Sequence, residues 1–98
     1  MGIIKNIKLD SIEECIKDVV RFSFQIRLYQ QEYDDVTKQK KEDRKRLSSG
    51  NIPRDLYLKN ESTLEAERKR LALKINQTAD RIGSINEAML KLVRQNRI

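Results

Sequence analysis

The chain has 98 residues, of which 37% are charged and 38% hydrophobic, with three Gly, one Pro and no His. That balance suits long exposed helices rather than sheets or loops, and a single domain of this size has little volume in which to enclose a thick core. The net charge is +6, from 21 basic and 15 acidic residues; the lone Cys15 excludes an internal disulfide, and the lack of His removes the imidazole that metal sites and proton shuttles most often use.

Residues 1–9 form an Ile-rich lead in which Ile3, Ile4, Ile7 and Leu9 are interrupted by Lys5, Asn6 and Lys8. The interruptions leave neither a secretory signal nor a membrane span, and the spacing fits none of the periodic templates well, so a short strand, an extra helical turn and a disordered tail all stay open. A cytoplasmic location is the expectation, in which the glycosylation patterns at Asn60 and Asn76 have no role.

The hairpin occupies residues 10–98. Asp10 and Ser11, followed three residues later by Glu13 and Glu14, are candidate capping boxes and predict a first helix over about 11–47. From Ile12, alternating steps of three and four select Cys15, Val19, Phe22, Ile26, Tyr29, Tyr33 and Val36, then Lys40, Asp43 and Leu47. This is a heptad seam, apolar at first and polar later. The one turn-forming cluster, Ser48-Ser49-Gly50-Asn51-Ile52-Pro53, is the expected hinge, with Pro53 suited to the first position of a second helix.

The second helix is expected over about 54–97, and a further capping box, Ser62 with Glu65, marks a potential irregularity near Asn60. Its seam runs from Tyr57, Glu61, Leu64 and Arg68 through Leu71, Ile75 and Thr78 to Ile82, Ile85, Met89 and Leu92, grading from polar to apolar. The two gradients match if the chain folds back at Gly50. The fold class is therefore expected to be all-α, a long antiparallel two-helix hairpin resembling a coiled coil, completed to a helical bundle by self-association. Facing residue numbers then sum to about 101, which sets Lys40 against Glu61 and Tyr33 against Arg68.

Large apolar residues off the seam need another explanation. Ile16, Val20, Phe24 and Leu28 recur every four residues on the first helix, and Leu73, Leu90 and Val93 lie off the seam of the second. The expected partner-binding surface is Phe24, Leu28 and Leu73 with Val20, Leu90 and Val93. Its occupant is a second copy, giving a homo-oligomer such as a dimer, or another protein's helix, or the Ile-rich lead folded over within the monomer. Gly83, inside the second helix, is either tolerated there or marks a close backbone approach.

No catalytic constellation is present: there is no His, no phosphate-cradling glycine loop, no Cys pair and no Ser with a matched base. The acidic neighbours Glu13-Glu14, Asp34-Asp35 and Glu42-Asp43 diverge by about 100° on a helix and suit solvated surface better than a cation site. No cofactor, metal or small-molecule substrate is expected, and the chain reads as a non-catalytic assembly or adaptor protein. The alternative is a nucleic-acid-binding hairpin whose tip offers Lys38, Lys40, Lys41, Arg44, Lys45, Arg46 and Arg54, with Tyr57 nearby to stack on a base. A plain solvated helix surface explains the same residues, and Lys91, Arg94 and Arg97 form a second basic group. The outline is similar to that of small secreted hairpin proteins with a Trp-x-Gly turn and of needle subunits of secretion systems. This chain has no Trp and its turn reads Ser49-Gly50-Asn51-Ile52-Pro53, so neither family's function is carried over.

Overall fold

The computed structural model describes the backbone of residues 2–95 and the side chains of residues 11–95. Two α-helices, α1 (Gly2–Ser48) and α2 (Arg54–Gln95), pack as an antiparallel hairpin, and there is no strand among the described residues. α1 starts well before the expected cap, and Asp10 and Ser11 lie inside it. No Gly or Pro interrupts the chain between Ile3 and Ser48. Once a helix is nucleated, each further residue adds a backbone hydrogen bond for one residue fixed, so a cap-like pair without a breaker does not stop it. The lead therefore continues α1 and does not fold back over the outer apolar residues; its side chains lie outside the described residues.

The end of α1 follows from Gly50, which takes a left-handed φ of 72°. The Asn51 N–H donates to the Arg46 carbonyl at 2.8 Å and the Gly50 N–H to the Leu47 carbonyl at 3.1 Å. Those two bonds are the Schellman pattern, which satisfies carbonyls that the helix end would otherwise leave open. α2 begins at Arg54, as expected; the Pro53 carbonyl accepts the Tyr57 N–H at 3.0 Å, so the proline occupies the cap rather than the first helical position. Asp55 in the first turn of α2, and Lys45 and Arg46 in the last turn of α1, have the signs that the helix dipoles favour.

α2 passes through Asn60 and Ser62 without interruption. The hydroxyl of Thr63 donates to the Lys59 carbonyl at 3.1 Å inside the helix, and Glu65, the supposed capping partner, is held by Lys40 and Arg68 instead. A capping box needs that carboxylate turned back toward Ser62, and two cations hold it elsewhere.

The chain divides into two compact units, a terminal unit of Met1–Ile26 with Asn76–Ile98 and a turn unit of Arg27–Ile75. In each, every described seam position expected from the heptads is buried or half-buried, while most of the remaining helix surface is exposed. The turn unit centres on Leu71, which is fully buried, and its seam also encloses Asp43, 3% exposed. In the terminal unit Phe22 and Thr78 are buried, and the Phe22 ring lies under two guanidinium groups, those of Arg21 and Arg81, at 4.9 and 5.6 Å.

Candidate interaction surfaces

Within the turn unit the polar seam forms one linked network. The Lys40 ammonium, on a side chain only 11% exposed, lies 3.2 Å from Glu61 and also donates to Glu65. Arg68 reaches Glu65 at 3.1 Å, its guanidinium stands 5.9 Å from the Tyr33 ring, and Arg44 approaches Glu61 at 3.9 Å. Both cross-helix pairs expected from the folded-back register, Lys40 with Glu61 and Tyr33 with Arg68, are thus in place. Glu65, one turn beyond Glu61, is the partner that the pairing rule passed over. Its signal was the four-residue spacing of two acids, which puts both on the side of α2 that meets Lys40.

Electrostatics follow the geometry. The hydrogen bond from Lys40, then that from Arg68, holds the Glu65 carboxyl below its ordinary range, while Glu65 in turn raises Lys40 and Arg68. Arg70 lowers Glu67 in the same way through a bond of 2.6 Å. Two buried acceptors are less well served. Asp43 takes an amide hydrogen bond from Gln39 at 2.9 Å, and Glu61 Oε2 is buried with no hydrogen-bond partner.

The expected partner-binding residues all lie on the surface. In the terminal unit Val20 is 50%, Phe24 62% and Leu90 54% exposed, with Val93 and Ile16 also open to solvent. In the turn unit Leu28 and Leu73 are exposed, and so are Leu56 and Leu58, which heptad reasoning had not singled out. An added Cβ at Gly83 would meet nothing within 4 Å among the described residues, so none of them approaches it closely.

Of the seven tip residues, Lys38, Lys41, Arg44, Lys45, Arg46 and Arg54 are exposed, as is Lys59. Lys40 is withdrawn: its side chain is 11% exposed and lies in the seam between Glu61 and Glu65, because a charge taken from water needs such partners. Tyr57 is half-buried on the seam and is not presented with the exposed bases. Arg97 falls outside the described residues. An open hollow of about 400 Å³ in the terminal unit is lined by Phe22, Asp80, Arg81, Ser84 and Ile85, without paired acid, base or nucleophile groups suited to chemistry. Cys15 is half-buried, and among the described residues no three side chains converge as metal ligands. No described helix is long and apolar enough to cross a membrane.

No protein-family model, curated protein or solved structure matches this chain, so the functional reading rests on its own residues.

Proposed function

We propose that this chain is a non-catalytic assembly protein that works by helix-to-helix association, its exposed apolar side chains being covered by a second copy of itself. One observation carries the reading. Among the described residues two hydrophobic side chains, Phe22 and Leu71, are buried, whereas nine large ones are exposed. Single exposed leucines are ordinary, but on a hairpin with so small a core this imbalance favours an interface.

The magnitudes suit a reversible complex. Burying the remaining half of an exposed Leu, Ile, Val or Phe stabilises by about 1 kcal/mol. Ile16, Val20, Phe24, Leu90 and Val93 of the terminal unit, counted on both copies, then contribute about 10 kcal/mol. The loss of rotational and translational freedom costs about 4 to 15 kcal/mol, so at the low end of that cost the balance is about 6 kcal/mol, a weak dimer with a Kd of about 40 μM, and at the high end the terminal unit alone does not hold two copies together. A second copy brings the same unmet surface and satisfies both deficits with one two-fold contact.

Sedimentation of the parent chain beside Phe24→Asp tests this. The parent is expected to dimerise at high concentration, and the variant to remain monomeric with its helical circular dichroism intact. A parent chain that stays monomeric at every attainable concentration removes the self-association reading.

A further inference from the structure

Apart from the assembly reading, the turn unit carries a feature of its own: the distribution of charge. Residues 38–59 hold eight of the 21 basic residues and three of the 15 acidic ones. Thirteen bases and twelve acids remain for the other 76 positions, so nearly all of the chain's net charge of +6 belongs to this one segment.

Folding preserves that excess at the surface. Lys40 and Asp43 retire into the seam together, one base and one acid, with Lys40 neutralised by Glu61 and Glu65 from beyond the segment. Seven bases stay exposed against two exposed acids, Glu42 and Asp55. Of the seven only Arg44 pairs with a described carboxylate, at 3.9 Å. Elsewhere several exposed bases are matched by acids on their own helix, as in Lys17 with Glu14, Arg21 with Asp18 and Arg70 with Glu67.

The placement is suited to an extended polyanion. Lys38, Lys41 and Lys45 follow at steps of three and four, which sets them along one face of α1 over about 10 Å. The turn at Gly50 brings Arg54 and Lys59 of α2 to the same end of the unit as Lys45 and Arg46. An anionic membrane surface also attracts a basic cluster by charge alone, but stable docking of a protein or lipid partner is favoured by an apolar anchor beside the charges. The exposed Leu56 and Leu58, two residues apart, diverge by about 200° around α2 and make no common anchor. A phosphate backbone needs only charge and spacing.

We propose that the basic turn of this hairpin is a binding surface for the phosphate backbone of nucleic acid, indifferent to base sequence, built from Lys41, Lys45, Arg46, Arg54 and Lys59. Lys40 is not part of it. With Tyr57 drawn into the seam, no exposed aromatic of this segment reads bases, so affinity depends on charge alone.

Fluorescence anisotropy of a labelled single-stranded RNA of about 20 nucleotides, and of a duplex DNA of similar length, measures the surface directly. With about four phosphates engaged, single-strand affinity should fall about 50-fold between low and physiological salt. Lys45→Glu with Arg46→Glu should weaken binding more than about tenfold, because two contacts become two repulsions. Arg27→Glu with Lys69→Glu makes the same change in net charge at exposed positions away from the turn, and should weaken it less than about threefold. Three results would overturn the proposal: no binding of either nucleic acid at low salt, equal losses in the two double variants, or tighter binding to phosphatidylserine vesicles than to RNA. Sedimentation of the Lys45→Glu, Arg46→Glu chain separates this outcome from the assembly reading, since its self-association should match the parent's.

Discussion

Leu71 is fully buried, and of the other described hydrophobic side chains only Phe22 joins it in the core, the remaining apolar seam positions being half-buried, so Leu71→Ala puts the packing of the seam to its sharpest test. Deleting the side chain forfeits its transfer free energy and leaves a cavity that rigid helices close only in part, a loss of about 3 kcal/mol. For a chain of this length total stability is about 5 to 15 kcal/mol, so the loss is about a fifth to three-fifths of the whole. With an unfolding entropy of about 2 cal/mol/K per residue, the melting temperature should drop by about 15 °C. Thermal unfolding followed at 222 nm, at one fixed protein concentration, reads this directly. Leu73→Ala is the internal control: two residues away on the same helix and 57% exposed, it should cost less than about 1 kcal/mol within the hairpin. Equal losses at the two positions would mean that α2 presents a different face to α1, and the heptad register would have to be abandoned.

Gly50→Ala should destabilise by about 1 to 2 kcal/mol, read from a urea midpoint, because a Cβ is strained at a φ of 72° although nothing crowds it there; an unchanged midpoint would mean that the turn is not left-handed. Acid should weaken the turn unit in a defined window. Folding holds Glu65 below its ordinary value of about 4.5, so its stabilising effect is complete above that pH and is lost as pH falls through the lower folded value. Glu65→Gln should therefore flatten the pH dependence of stability below about pH 4.5 and leave the slope near neutrality unchanged.

The hairpin was legible because its signals agree: the heptad steps, the single Gly-containing break and the mirrored polarity gradients lead to the same register, and Lys40 with Glu61 and Tyr33 with Arg68 meet as that register requires. The start of α1 was not legible, since a capping box marks where a helix can begin without forcing a longer one to stop. Charge accounting was only half legible. Counting bases along the tip includes Lys40 as readily as Lys41, and only the seam position of Lys40, together with the four-residue spacing of Glu61 and Glu65, separates a buried clamp from an exposed contact. The exposure of Leu56 and Leu58 carried no periodic signal, because two residues on nearly opposite sides of a helix belong to no stripe.

The polar half of the seam raises the question of why Lys40, Asp43 and Glu61 stand where leucines would pack more stably, with one Glu61 oxygen left without a partner. Two uniformly apolar heptad helices can slide past each other by seven residues and bury nearly as much surface. Here a slide of one heptad in one direction carries Lys40 from Glu61 to Arg68, and Asp43 toward Glu65. A slide in the other direction carries Lys40 to Arg54. Either way an attraction at the half-buried seam is exchanged for a repulsion between like charges, and those charges lose the partners that make their burial tolerable. The network therefore selects one alignment by penalising its nearest competitors, and a core as small as this one needs that selection, because packing alone distinguishes poorly between registers when so few side chains are buried.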